Sequence, residues 1–253
     1  MSKTLETSER VVPTPAHAWV TGGSSGIGFA ASRALCLAGY AVHLTGRDSN
    51  KAEAAAARLR SAGHHATAVP ADVADPVQCA RAASQVLDRS AGSLGVLVNS
   101  AGLNIANRSW PQVSVEGWQS VMGANLDGTF HCIQAVLPAM RAAKCGLIVN
   151  VSSWAGRFDS RMAGPAYGAA KHAVASLSRS INLEEAGNGI RATVLYPGEV
   201  ATPIMDRRAV PPTPEMRAAM LQEDDMQEVF SFLLRLPAHV CIAELSVKSV
   251  HSA

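Results

Sequence analysis

The sequence predicts an α/β fold: a doubly wound, mostly parallel sheet of seven strands with helices on both faces. Two observations carry this. Short apolar runs alternate with longer amphipathic stretches along most of the chain, the pattern of strand–helix–strand units whose parallel strands are covered on both sides. The first apolar run also passes through a glycine-rich turn straight into the first helical stretch. A length of 253 residues fits one large domain or two small ones, and a hydrophobic fraction of 48% is ample for a full core.

The elements follow in order. HAWVT (17–21) is the first strand, and IGFAASRALCLAG is a helix ended by Gly39. AVHLT (41–45) is the second strand, followed by an alanine-rich helix stopped by Gly63. HATAVPA (65–71) is the third strand. The next helix has Asp75 as its N-cap and Pro76 at its first position, where proline's missing N–H costs nothing. LGVLVNSAG is a buried strand and turn, and a long helix runs from about 116 to 144. GLIVNVSS is a strand, Tyr167 to Ala186 a helix, and GIRATVLYPG a strand with a turn. Residues 201–225 break the alternation: the segment is proline-rich, carries three methionines and reads as a mobile flap. A helix at about 225–235 and the strand CIAELSV close the fold. No linker rich in Pro, Gly or Ser splits the chain, so residues 16–253 read as a single domain after a flexible arm over 1–15.

Composition excludes several classes. The net charge is +2 and no Lys/Arg block stands out, so nothing favours nucleic acid or a membrane surface. No apolar run approaches the roughly 18 residues of a membrane span, and the polar start lacks the apolar core of a secretory signal. The five cysteines are scattered without CxxC spacing. Neither a disulfide framework nor a metal site is indicated, and a cytoplasmic, reducing setting is expected.

TGGSSGIG, Thr21 to Gly28, joins the first strand to the first helix. Gly22, Gly26 and Gly28 allow a tight turn that a pyrophosphate can approach closely. Ser24, Ser25 and Ile27 complete the turn, and the helix N-terminus behind it carries partial positive charge. Further on, PAYGAAKHAV places Tyr167 four residues before Lys171. A helix puts both on one face. A lysine there favours the phenolate and would draw the tyrosine pKa below its usual value of about 10, into the range of useful proton transfer. Chance gives such a pair in roughly one chain in sixteen, so the pair alone is a weak signal.

Taken together, the motifs resemble the short-chain dehydrogenase/reductase family. T-G-x-x-x-G-x-G at Thr21–Gly28, N-x-A-G at Asn99–Gly102, Asn125 in the long helix, Ser153, Y-x-x-x-K at Tyr167–Lys171, and PG followed by Thr202 occur in that order, over about residues 16–247. The resemblance implies a Rossmann-type fold and hydride transfer between a nicotinamide and a carbonyl or carbinol carbon. It implies Tyr167 as general acid and base, with Lys171 lowering its pKa and holding the nicotinamide ribose. It also implies Ser153 as donor to the substrate oxygen, and Asn125 as holder of a water for proton relay. Ser153 rather than Ser152 fits the family's S-x-x-G, although its spacing to Tyr167 is one residue longer than usual. Asn99 supports the central strand, beside Ala101 and Gly102. Asp72 and Val73 match the adenine-binding pair. Pro197, Gly198, Val200 and Thr202 match the loop that fixes the carboxamide.

Cofactor choice rests on the end of the second strand. Gly46 stands where the family places an acid for the NAD ribose, and Arg47 follows. A guanidinium suits a 2′-phosphate, so NADP(H) is expected. Trp110, Trp154, Phe158, Met205, Met216 and Met220 either line an apolar substrate pocket or pack the core or a subunit interface. Arg207 and Arg208 read as a solvated basic pair more readily than as a carboxylate trap. The ending LPAHVCIAELSV resembles that of the branch holding NADP-dependent 3-hydroxy acid and serine dehydrogenases and carbonyl reductases, which points to a small hydroxy or keto compound. The family pairs its two long helices in homodimers or homotetramers. The rival function is a cofactor-binding sensor or scaffold without turnover; the set Asn125, Ser153, Tyr167 and Lys171 argues against it.

Overall fold

The computed structural model describes residues 16–208 and 210–251, apart from the side chain of Arg207; the arm expected over residues 1–15 lies outside them. Seven strands form one sheet in the order β3-β2-β1-β4-β5-β6-β7, and every pairing is parallel. The strands are β1 (His17–Thr21), β2 (Ala41–Thr45), β3 (Ala66–Ala68), β4 (Leu94–Asn99), β5 (Gly146–Val151), β6 (Ile190–Pro197) and β7 (Glu244–Val247). The helices are α1 (Gly26–Leu37), α2 (Ser49–Ser61), α3 (Pro76–Arg89), α4 (Val115–Met122), α5 (Gly128–Ala143), α6 (Pro165–Glu184), α7 (Pro214–Ala219) and α8 (Glu223–Arg235).

Helices cover both faces. On one, Phe29 and Leu35 of α1, Leu59 of α2 and Phe230 and Leu233 of α8 pack over the alternate residues Val96, Val98, Leu147 and Val149. On the other, Val86 of α3, Val136 and Met140 of α5 and Ile181 of α6 pack over Trp19, Leu97 and Ile148. β5 and β6 are therefore buried along their whole length, which is why their sequences read as unbroken apolar runs rather than alternating ones. The strand order reverses direction between β1 and β4, opening a crevice at the C-terminal ends of these strands, where ligands of such sheets bind.

Local chemistry sets the helix ends. Asp75 accepts from the backbone N–H groups of Val77 (2.9 Å) and Gln78 (3.2 Å), with Pro76 in the first turn. Two expected elements differ. β3 spans three residues instead of 65–71. Val69 and Ala71 still donate to the carbonyls of Leu44 and Gly46, so backbone bonding to the β2 side runs on past Pro70, whose missing N–H would face the open edge of the sheet. The long helix of 116–144 is α4 and α5 joined by a π turn at Gly123–Asp127. The presumed flap contains a 3-10 turn at Pro203–Arg207 and α7. No helix among the described residues is long and apolar enough to cross a membrane.

Candidate active site

The glycine turn closes the crevice on the β1 side. Gly22 and Gly26 take φ values of +65° and +53°, the left-handed region that glycine occupies without strain. A Cβ on Gly28 would lie 2.2 Å from the Gly22 carbonyl oxygen, and one on Gly22 would lie 2.7 Å from the Ala101 nitrogen. The turn is thus packed against itself and against the end of β4, leaving its backbone as the surface offered to a ligand. Ser25 caps α1 without using its side chain, and the first turn of α1 carries no acid. The positive end of that helix is open to an anion. Ile27 packs into the core behind it.

Around this turn the other cofactor-matching residues gather. Ser24 Oγ lies 3.2 Å from the position a Gly46 Cβ would take. Arg47 is half exposed and lies 4.0 Å from Asp72. The Asp72 carboxylate also accepts from Ala74 N–H at 3.1 Å, and the Val73 carbonyl pairs with the His131 ring at 3.0 Å. Ala101 N–H donates to Thr21 Oγ1 at 3.3 Å. Asn99 is buried and donates to Asn150 on β5 at 2.9 Å, tying the two central strands together. Pro197 ends β6, and Gly198 N–H donates to Val247 at 2.7 Å. Val200 bridges to Leu221, and buried Thr202 packs against Gly26. A nicotinamide dinucleotide suits this donor set: a backbone cradle, a helix end, a guanidinium and adjacent hydroxyls.

Beyond the ends of β4 and β5, four polar side chains converge. Ser153 lies close enough to Tyr167 to draw its pKa down, and its Oγ accepts from Ala155 N–H at 3.2 Å; residues 157–164 between the two form turns. Lys171 follows one helical turn later, its Nζ 5.5 Å from the Tyr167 ring centre. A Cβ placed on Gly102 would meet Asn125 Oδ1 at 2.5 Å and Lys171 Nζ at 3.5 Å, so both side chains point at one spot beside that glycine. Asn125 is fully buried in the π turn, its amide donating to the carbonyls of Leu103 and Val121 at 2.8 Å each. Its Oδ1 is buried without a hydrogen-bond partner. π turns aim a side chain that a regular helix would carry past the site.

The electrostatics correct one expectation. Burial raises the Tyr167 pKa above its ordinary value; the neighbouring Ser153 and the Arg108 charge oppose that rise. Lys171 is not what lowers it. Its Nζ donates to the Val151 carbonyl at 2.9 Å, and burial pulls its own pKa down to about 8. Sequence spacing revealed the Tyr–Lys pair but missed Arg108, which approaches from the loop after β4 with no local signature.

The apolar candidates divide. Met205 and Met220 are buried, whereas Met216 and Trp110 are exposed. Trp154 and Phe158 stack at 4.6 Å between ring centres. Arg208 is no solvated cation: it is mostly buried and paired with Glu199 at 2.5 Å. Among the described residues no group of three or more His, Cys, Asp or Glu side chains could hold a metal ion.

Comparison with known proteins agrees with this architecture. The family model described as "short chain dehydrogenase" matches residues 16–211. The cis-4-hydroxycyclohexanecarboxylate dehydrogenase of Sinomonas cyclohexanicum is 36% identical over 222 residues, covering 85% of this chain and 87% of its own. An alcohol dehydrogenase from the archaeon Thermococcus sibiricus, solved with 5-hydroxy-NADP, superposes with a TM-score of 0.84 at 28% identity, covering 94% of this chain and 98% of its own. A 3-ketoacyl-(acyl-carrier-protein) reductase from Brucella melitensis, solved with NADH, gives 0.82 at 26% identity, with coverages of 94% and 98%. The chain belongs to the short-chain dehydrogenase/reductase family and is an NAD(P)-dependent oxidoreductase of small molecules.

Proposed function

We propose that this protein uses NADP(H) to interconvert a carbonyl and a secondary alcohol in a small molecule, with Tyr167 as general acid in reduction and general base in oxidation. The observation that carries the reading is that Asn125 and Lys171 meet beside Gly102, with Tyr167 next to Lys171 and Ser153 next to Tyr167. The nicotinamide, when bound, supplies or accepts the hydride. Ser153 lies beside Tyr167, close enough to draw its pKa down, so both hydroxyls can reach one substrate oxygen and stabilise charge developing there. With its pKa raised by burial, Tyr167 holds its proton at neutral pH and is ready to donate it. Lys171, with a pKa near 8, returns a proton to Tyr167, and Asn125 holds the water that links Lys171 to solvent.

In this reading the turn Gly22–Gly28 seats the pyrophosphate, and Asp72 and Val73 take the adenine. Asn99, Ala101 and Gly102 form the wall beside the nicotinamide, Tyr167 and Lys171 take its ribose, and Pro197, Gly198, Val200 and Thr202 take its carboxamide. Arg47, with Ser24 beside Gly46, favours the 2′-phosphate of NADP. The Sinomonas relative, named for a hydroxycyclohexanecarboxylate, supports a small hydroxy compound as substrate. We further assign residues 16–253 to one domain with 201–225 as substrate flap. We also assign a cytoplasmic setting, and a homodimer or homotetramer paired through α5 and α6, where Phe130 and Leu183 are exposed.

The test is NADPH and NADH consumption by the purified protein against ketones, aldehydes and 3-keto acids. Turnover with NADPH is expected, falling by about 10²–10⁴-fold in Tyr167→Phe while NADPH still binds. Tight binding with no turnover of any compound would favour the sensor. A preference for NADH would overturn the role of Arg47.

A further inference from the structure

We propose that Cys79 and Cys132 form a reversible disulfide when the protein meets hydrogen peroxide, and that this bond lowers the affinity for NADP(H). The site stands on its own geometry. Its effect on the cofactor rests on the reading above that places the adenine at Asp72 and Val73.

Cys79 lies in the first turn of α3 and Cys132 in α5, two helices that pack together on one face of the sheet. The two sulfurs are 3.5 Å apart and hydrogen-bonded, although 53 positions separate them in the sequence. A disulfide holds its sulfurs about 2.0 Å apart, so closure needs an approach of roughly 1.5 Å. The pair is unequal. The bond from Cys132 lowers the Cys79 pKa, whereas burial pushes that of Cys132 well up. Cys79 is therefore the sulfur that ionises and attacks. Its thiolate takes one oxygen from peroxide, giving a sulfenic acid and hydroxide. The Cys132 sulfur then bonds to Cys79 and displaces that oxygen, which leaves as water with the Cys132 proton. In sum, two thiols and one peroxide give one disulfide and two waters. Both sulfurs are buried, but Cys79 sits one layer beneath exposed Val77 and Ala80. Helix ends open locally at low cost, and that opening admits a molecule as small as peroxide.

The surroundings leave no slack for that approach. The segment leading into α3 is pinned on the first turn of α5: the His131 ring pairs with the Val73 carbonyl at 3.0 Å, and a Cβ on Gly128 would meet Val73 Cγ2 at 2.6 Å. Drawing the two helices together at Cys79 and Cys132 therefore displaces Asp72 and Val73. The same turn of α5 holds the π turn, through Thr129 Oγ1 donating to the Asn125 carbonyl at 2.9 Å. In a reducing setting the pair rests as thiols, and the bond lasts only as long as the oxidant.

The experiment uses the full chain with the exposed Cys145 and Cys241 changed to serine, so that both core cysteines stay as they are. Folded protein is treated with hydrogen peroxide, its remaining thiols are alkylated, and its peptides are mapped by mass. A Cys79–Cys132 link is expected, reversed by dithiothreitol. Fluorescence titration should show NADPH affinity falling by between about five- and 150-fold in the linked protein and returning on reduction. Linkage is reciprocal, so saturating NADPH should lower the equilibrium constant for the disulfide in a dithiothreitol redox buffer by the same factor. In Cys132→Ser the reaction should stop at a Cys79 sulfenic acid that dimedone labels, with melting curves reporting whether that variant is folded. Absence of the link in folded, peroxide-treated protein would overturn the site. A link that leaves NADPH affinity unchanged would overturn the coupling. Failure of the reduced protein to bind NADPH would fall on the cofactor reading instead, and the peptide map would still decide the disulfide.

Discussion

The glycine turn after β1 and the polar cluster after β4 and β5 are neighbours built from opposite materials. The turn is backbone brought so close together that an added methyl group has no room at Gly22 or Gly28. The cluster is polar side chains: Asn125 is held by two carbonyls and Lys171 by the Val151 carbonyl, and Ser153 lies beside Tyr167. One region fails when an atom is added, the other when a polar atom is removed. They also touch, because Ser100 and Ala101 at the end of β4 hydrogen-bond Thr21.

The largest expected effect comes from adding the smallest group. Gly28→Ala places a Cβ 2.2 Å from a backbone oxygen that cannot swing aside. We expect a stability loss of about 1–3 kcal/mol or more from overpacking, together with loss of NADPH binding, read by melting and by fluorescence titration. Unchanged NADPH affinity would separate the turn from the cofactor site.

Lys171→Met makes the converse test. Turnover should fall by roughly 10²–10⁴-fold, yet the variant should melt no lower at pH 7, because it no longer buries an ammonium. The sign follows from proton counting. The folded pKa is about 8 against 10.5 for the ordinary lysine, so the unfolded chain binds more protons between those values. Stability therefore rises as pH climbs from about 8 to about 10.5. Urea midpoints across that window should lose this rise in Lys171→Met. A large drop in melting temperature would mean that the bond to Val151 outweighs the burial cost.

Arg47 tests where the two materials mix, a side-chain arm on a backbone site. Arg47→Leu should weaken NADPH binding by about ten- to a hundredfold while sparing NADH, the range for one charge-assisted contact. The smallest effect belongs to neither region. His43 on β2 is buried against the His17 ring at 3.1 Å, and burial first, then His17 and Arg89, lowers its pKa to about 4. The unfolded chain takes up a proton at this residue near 6.5, so stability is lost as pH falls from there toward 4, by at most about 1.4 kcal/mol per pH unit. Denaturation of His43→Leu at pH 4–7 should show a flatter slope.

Much of this was legible because it is local. Asp75 with Pro76 announced a helix start, and its carboxylate makes the cap. Apolar runs announced the strands, since a sheet buried on both faces requires them. What stayed hidden depends on contacts between distant segments or on single-residue geometry. β3 is Ala66–Ala68 alone, shorter than its apolar run, a difference the run itself does not display. Met205 and Met220 are equally apolar whether they face a substrate or the interior, and the structure buries both. The pKa of Tyr167 depends on its burial and on Arg108 from another loop, so the lysine spacing alone pointed the wrong way.

The π turn at Gly123–Asp127 carries a consequence for how this chain tolerates change in length. Deleting one residue usually damages a helix. Here, deleting Ala124 would let α4 and α5 merge into one regular helix, improving its backbone bonding. It would also turn everything on one side by about 100° relative to the other, carrying the Asn125 side chain off its carbonyls. The shorter chain would be the better helix and the poorer enzyme; what holds Asn125 in place is a residue too many.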